Sequence, residues 1–536
     1  MVNAWNSFLI LCFFPFAILS LEGFSENLFI SSLKNGDIIT IFNFTLASQH
    51  EDKVDSIYIP WLFFHLTEQF SLDYFKLSIA QGFWRTNLWG YQHINTEVPC
   101  GTELSVKFSN ATNNTDQKWH DFVHLINGLF CTSILGLLPQ FSVQSKFDNS
   151  WWYGALGGES VCTENLQSWK KLLPCKKRGL VSLLKPTFFL SARFHSISVE
   201  LNRQSIGEHS DFLKLNLISK TVHNYGSFHK QDLIHEGLFN SKSFRQCPVS
   251  IQSRLLIEKN VFFDLDLSDS TNYQKSIDNL YIVDLNNGSS INLSKLRFTF
   301  KDFDTRLYVH PPTILMHSFL KSISQIGGFI STHINNPFPS PFYARFTQML
   351  PWQIHAFLHT LIFVCTNSSN EFTPFFGEYT LSRDGIKPLL IELDVLLPAN
   401  SKCKIEFEFK AAFLKISEFP PDANSGIHVS GAVLLISQEA LTNLSIFSTA
   451  FDIQKIFGEP LLILLPVPDF SMPFNVICFV CTTIAIFYGN VFALSTKLYV
   501  KMKLFPKEKD HMKGEEQKLK RTMKERILGI INLFSH

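Results

Sequence analysis

The stretch Leu389–Lys410 reads LLIELDVLLPANSKCKIEFEFK. In its second half Cys403, Ile405, Phe407 and Phe409 alternate with Lys404, Glu406, Glu408 and Lys410. Successive side chains of an extended strand point to opposite faces, so this spelling describes a strand with one apolar and one wet face. Leu389–Leu397 is apolar and of strand length, and Pro398–Lys402 carries turn residues. The two runs are predicted as the strongest strand pair of the chain, in a sheet with one face in water. Extended runs recur at Asp37–Phe44, Glu103–Ser109, Ser196–Leu201, Val261–Leu267, Leu280–Leu285 and Leu296–Phe303. Many short strands set off by turn signals predict a mainly β fold of β-sandwich-like domains with a few helices.

One helix is clear. Over Asp116–Thr132, Asp116 is placed to cap, and Trp119, Phe122, Val123, Ile126, Leu129 and Phe130 recur at helical spacing. That stripe is predicted to be core. Ser71–Gln81 reads equally as helix or strand. Residues 140–185 read as loop-rich. Gly154, Gly157 and Gly158 follow no clear strand and do not spell a phosphate-cradling GxGxxG, so they read as turns. A hydrophobic content of 46% excludes wholesale disorder, and 536 residues allow two or three domains. A net charge of +1 supplies no field for nucleic acid. The 54 Phe residues fit cores and interfaces alike.

Two apolar runs point to a compartment. Phe8–Ser20 (FLILCFFPFAILS) is too short to span a bilayer and reads as a signal-peptide core, although no Lys or Arg precedes it. Ser20 or Gly23 is the last residue removed in that reading. Phe474–Leu494 (FNVICFVCTTIAIFYGNVFAL) matches the hydrocarbon thickness at ~1.5 Å per residue. Lys497, Lys501 and Lys503 follow it at once, whereas the last basic residue before it is Lys455. Positive charge stays on the cytosolic side, which places the body in the lumen. The expected organisation is a signal peptide over 1–23, a luminal α/β-containing region over 24–185, a luminal β-sandwich-like region over 186–470, one transmembrane helix over 474–494 and a cytosolic tail over 495–536. The acceptor pattern for N-glycosylation occurs at Asn43, Asn110, Asn113, Asn287, Asn292, Asn367 and Asn443, all on the predicted luminal side.

Cys12 leaves with the signal peptide, and Cys478 and Cys481 lie in the span. The lumen keeps Cys100, Cys131, Cys162, Cys175, Cys247, Cys365 and Cys403, an odd set. At least one stays free or pairs with another chain in an oxidising compartment. Enzymatic signatures are missing: no G-x-S-x-G, no P-loop and no caspase-type cysteine word. His355 and His359 stand four apart, a metal-gripping spacing on a helix, but Ala356 sits where a zincin has its Glu. No metal, cofactor or catalytic residue is expected. Asp469, Ser471 and Asn475 stand where the chain enters the membrane. The helix N-terminus there exposes N–H groups that suit a phosphate. Alternatively Ser471 simply caps the helix and Asn475 faces the interface.

Three stretches carry a resemblance: Gln81–Tyr91 (QGFWRTNLWGY), Val161–Cys175 (VCTENLQSWKKLLPC), and Pro420–Ser430 (PPDANSGIHVS) with Glu459–Cys478 (EPLLILLPVPDFSMPFNVIC). Together they resemble the PIG-T subunit family of the glycosylphosphatidylinositol (GPI) transamidase, over roughly residues 60–175 and 385–495. The resemblance implies a non-catalytic luminal subunit in the endoplasmic reticulum membrane, working beside a caspase-like catalytic subunit and multispan membrane subunits. It implies that Cys162 forms an interchain disulfide with the catalytic subunit. Cys175 is the competing cysteine, and a bond between Cys162 and Cys175 is the intrachain alternative. It further implies that Asn424, Asp469, Ser471 and Asn475 contact the GPI lipid. Family members carry Asn-His-Gly where this chain has Asn424-Ser425-Gly426, so only the Asn carries over. Trp84, Arg85 and Trp89 read as an interface patch or as core. The rival reading is a type I receptor or adhesion glycoprotein of the cell surface, unrelated to GPI attachment.

Overall fold

The computed structural model describes residues 23–50, 59–93, 96–109, 115–138, 141–144, 150–158, 161–205, 211–224, 245–258, 263–266, 273–275, 280–285, 297–300, 313–324, 326–366, 375–415, 418–419, 426–437, 453–467, 471–496 and 517–526. The first thirteen strands are β1 (Gly23–Ser32), β2 (Ile38–His50), β3 (Leu72–Gln81), β4 (Gly101–Phe108), β5 (Ser142–Gln144), β6 (Trp151–Leu156), β7 (Phe194–Ser205), β8 (Asp211–His223), β9 (Ser250–Glu258), β10 (Phe263–Asp266), β11 (Tyr273–Lys275), β12 (Leu280–Asp284) and β13 (Arg297–Phe300). β10 and β13 pair with each other; the rest form one eleven-stranded sheet in the order β11-β12-β9-β1-β2-β8-β7-β3-β4-β6-β5. Every neighbouring pair in it is antiparallel except β1 with β9.

The centre of this sheet is covered on both faces. Along β2, Ile38, Phe42, Phe44 and Leu46 enter one core, while Ile39 and Ile41 enter another. The first core is roofed by α1 (Trp61–Phe70), α3 (Thr115–Phe130) and α4 (Thr163–Lys171), and by α5 (Pro186–Leu190). The stripe predicted for Asp116–Thr132 is the buried side of α3, where Trp119 stacks on Trp152 of β6 at 5.3 Å between centroids. The opposite face is covered by the segment running through the four-residue α2 (Thr86–Trp89). Trp84 and Trp89 are buried there, so they are core and not an interface patch. Gly154, expected in a turn, lies inside β6; a Cβ there would meet Leu137 and Phe141 at 3.0 Å. The bare backbone at Gly154 is what lets α3 and the chain after it pack onto the strand.

The second region is a sandwich. Its strands are β14 (Leu315–Lys321), β15 (Gly327–Asn336), β16 (Phe342–Leu350), β17 (Ile354–Thr366), β18 (Phe375–Thr380), β19 (Leu389–Leu397), β20 (Ser401–Ala411), β21 (Ile427–Val429), β22 (Val433–Ser437), β23 (Ile453–Phe457) and β24 (Leu461–Ile463). One sheet runs β14-β15-β20-β17 and the other β18-β19-β16-β22-β23, with β21 and β24 as a separate ribbon. The alternation read in Leu389–Lys410 holds: Ile391, Leu393 and Val395 are buried from β19, and Ile405, Phe407 and Phe409 from β20. The expected pairing does not hold, because β19 and β20 belong to different sheets. Each strand has a single apolar face, and the two faces bury each other across the sandwich instead of lying side by side on one sheet. The turn between them has Asn400 at φ 47°, and Asn336 clamps it by donating Nδ2 to the Pro398 carbonyl at 2.6 Å.

The two regions are joined through the segment after α2. The N–H of Ile314 donates to the Tyr91 hydroxyl at 2.7 Å, and Gln454 Nε2 donates to Glu97 at 3.2 Å. Met349, Ala411, Ile427 and Leu465 enter the core beneath the large sheet. The large sheet draws strands from both sides of residue 185, so its hydrogen-bonded frame crosses the boundary expected there. The compact body ends at Pro466 and a second unit runs from Val467. That unit contains α6 (Ser471–Thr496), and Phe474–Thr496, with a mean hydropathy of 2.0, is long and apolar enough to cross a membrane. Apolar side chains along it are exposed, Phe479 being 74% exposed, as lipid contact requires.

Candidate functional site

Cys162 is the residue before α4. It has extended backbone, as an N-cap does. Its N–H donates to Oδ1 of Asn165 at 2.8 Å, and the Asn165 amide donates to the carbonyls of Phe130 at 2.8 Å and Cys131 at 3.0 Å. One buried amide therefore ties the start of α4 to the end of α3. Leu166 and Trp169 lie on the buried side of α4, and Trp169 donates its indole N–H to the Ser198 carbonyl in β7 at 2.9 Å. Thr163 and Glu164 remain exposed. Glu164 is held below the usual carboxylate range, first by a hydrogen bond from the Cys162 thiol and then by its own backbone N–H and Thr163. The CTENL word thus spells a half-buried free thiol beside the Glu164 carboxylate at an anchored helix start.

The remaining cysteines sort by burial. Cys175 and Cys247 form a disulfide across a separation of 72 residues, and Cys365 and Cys403 form another between the paired strands β17 and β20. This overturns Cys175 as the competing cysteine and removes the bond between Cys162 and Cys175. Cys100, Cys131 and Cys162 keep free thiols. Burial pushes the Cys100 thiol up, which disfavours the reactive thiolate. Cys131 is exposed at φ 53° directly after α3, a placement that sequence reasoning missed. Its signal was position: the end of a well-defined amphipathic helix is where a chain emerges from its core.

At the membrane entry, Ser471 is the first residue of α6 and Asn475, one turn further on, has an exposed side chain. Asn424 and Asp469 lie outside the described residues, as does the side chain of Ser471. Of the glycosylation candidates, Asn43 falls within β2 between Asn27 and Ile218, half-buried, and its Oδ1 has no hydrogen-bond partner among the described residues. Asn110, Asn113, Asn287, Asn292, Asn367 and Asn443 lie outside the described residues. His355 and His359 are on β17, a strand and not a helix, and the strand's pairing with β20 is interrupted between Phe357 and Ile362, so the helical i, i+4 geometry that would bring the two rings together is absent. Among the described residues no group of three or more His, Cys, Asp or Glu side chains is placed to hold a metal.

The family model described as the Gpi16 subunit, GPI transamidase component, matches residues 8–225 and 220–524. The human protein "GPI-anchor transamidase component PIGT" is 28% identical over 531 residues, covering 89% of this chain and 91% of that protein. The Schizosaccharomyces pombe "GPI transamidase component PIG-T homolog" is 25% identical over 530 residues, covering 89% and 90%. The Saccharomyces cerevisiae "GPI transamidase component GPI16" is 24% identical over 556 residues, covering 89% of each.

Proposed function

We propose, from the premise that this chain belongs to the Gpi16 family of GPI transamidase components, that it is the non-catalytic luminal scaffold of that enzyme. In this reading the body lies in the lumen of the endoplasmic reticulum, anchored by the single span at Phe474–Thr496. Cys162 makes an interchain disulfide with a caspase-like catalytic subunit, and multispan membrane subunits complete the complex. Asn424, Asp469, Ser471 and Asn475 hold the GPI lipid at the membrane surface. The observation that carries the reading is Cys162 itself: a free thiol at the start of an anchored helix, in a chain whose Cys175 is already engaged.

The chemistry assigned to this chain is positional. The first turn of α6 leaves backbone N–H groups without intrahelical partners, and these suit a phosphate oxygen. Asp469 attracts an ammonium, and Ser471 and Asn475 supply hydroxyl and amide groups for a polar headgroup. Holding an amine acceptor beside an acyl-enzyme turns a bimolecular encounter into an effectively unimolecular one, worth several kcal/mol of barrier when the geometry is right. Purification of the full chain from detergent extracts, run on non-reducing and reducing gels, tests this. Multispan partners and a covalent heterodimer that reductant separates are expected. A chain that purifies alone, or that transfers a GPI anchor to a peptide without partners, would overturn it.

A further inference from the structure

The second unit also holds a helix, α7 (residues 517–526), which begins 20 residues after α6 ends. It reads QKLKRTMKER. Lys518, Lys520, Arg521, Lys524 and Arg526 are basic, and Glu525 is the one acidic residue of the word. Leu519 and Met523 stand four apart and so share one face. At about 3.6 residues per turn, Lys520 and Lys524 flank that face on one side and Lys518 and Arg526 on the other, while Glu525 falls behind it. Every residue of α7 except Met523 is exposed, Leu519 to 48%. A helix this short is marginal in water, because nucleating it costs more than so few hydrogen bonds return. Its stability calls for a surface that takes up both the apolar stripe and the charge around it.

We propose that α7 lies on the anionic headgroups of the bilayer that α6 enters. This goes beyond the GPI reading and rests only on the span at Phe474–Thr496. Charge complementarity supports it: near an anionic lipid surface each Lys or Arg strengthens binding roughly fivefold. The apolar stripe sinks into the headgroup boundary, and the flanking side chains bury their methylene stems while their charges reach lipid phosphates. Reach supports it too. The 20 residues between Thr496 and Gln517 cover at most about 70 Å when fully extended, so α7 is held near a membrane that its own chain crosses. The tether makes the contact intramolecular, at an effective concentration on the order of millimolar. A nucleic acid would match the charge but offers nothing to Leu519 and Met523. In the sequence the same apolar spacing runs on through Ile527, Ile530 and Phe534, beyond the described residues.

The test places the full chain in lipid nanodiscs of phosphatidylcholine, alone or with about 30% phosphatidylserine to supply the anionic surface. Amide exchange is followed by mass spectrometry on peptides covering residues 517–526. Phosphatidylserine should slow exchange there roughly tenfold or more, and raising salt to about 0.5 M should reverse the effect as the Debye length falls. Lys518→Gln with Lys524→Gln and Arg526→Gln keeps helix propensity and removes three charges, so the protection should be lost. Leu519→Gln with Met523→Gln keeps every charge and should lose most of it. Equal exchange in the two discs, protection indifferent to both sets of substitutions, or protection that needs a co-purified protein or an added RNA would each overturn the assignment. A chain that does not enter the discs would overturn the span with it. A chain that enters and gains no protection from anionic lipid leaves the span standing and the α7 assignment fallen.

Discussion

Trp89 donates its indole N–H to the Asp37 carboxylate at 2.9 Å, across 52 residues of chain. Asp37 immediately precedes β2, and Arg193, next to β7, reaches the same oxygen at 3.4 Å. The LWGY word is therefore spelled for the back of the large sheet. Trp89→Phe keeps the ring and loses the donor. A hydrogen bond to a charged group in a buried setting contributes roughly 1.5–3 kcal/mol. The variant should assemble but melt several degrees lower, measured by thermal unfolding in detergent; an unchanged midpoint would show that the bond contributes nothing.

The thiol assignment separates two variants. Cys162→Ser should abolish the covalent heterodimer on non-reducing gels while much activity remains. Cys175→Ser should leave that heterodimer in place, since its thiol is held by Cys247. The same change opens a 72-residue loop and should lower stability by about 4 kcal/mol on loop-closure grounds. A heterodimer lost with Cys175→Ser and kept with Cys162→Ser would reverse the assignment.

Asp469→Ala combined with Ser471→Ala removes a carboxylate and a hydroxyl at the membrane entry and leaves the apolar span untouched. GPI attachment to a reporter protein should fall at least severalfold, with partner recovery on co-purification unchanged. Normal attachment would count against a lipid site there.

Acid should loosen the body through two buried histidines. His223 stacks on Phe188 at 4.0 Å, and burial, then the nearby His195, push it down from 6.5 to about 4; burial pushes His195 down as well. Both fold in the neutral form. Their contribution is complete above pH 6.5 and is lost as pH falls toward 4, on the order of 3 kcal/mol for His223. The thermal midpoint should stay flat from pH 7.5 to 6.5 and drop below that. His223→Phe should flatten that part of the slope; an unchanged slope would assign acid sensitivity elsewhere.

Much of this was legible residue by residue. The apolar faces of β19, β20 and α3, and the membrane helix, follow from periodicity and length, which local spelling carries. The CTENL word was legible as a word, whereas the Asn165 clamp that anchors its half-buried thiol was not, because Phe130 and Cys131 stand more than thirty residues away. Residues 140–185 read as loops because β6 is short and interrupted by Gly154, whose reason lies in the helix above it.

By itself the amino-acid order determined which side of each strand is apolar, where a bilayer can be crossed and that the cysteines between the two apolar runs are odd in number. Tertiary structure alone decided that β19 and β20 enter different sheets, that Cys175 meets Cys247 and Cys365 meets Cys403, and that one sheet runs through the expected boundary at residue 185. The reason is range. Side-chain direction is set by the dihedrals of a residue and its neighbours, whereas a partner is chosen by whichever distant surface completes the burial of an apolar face.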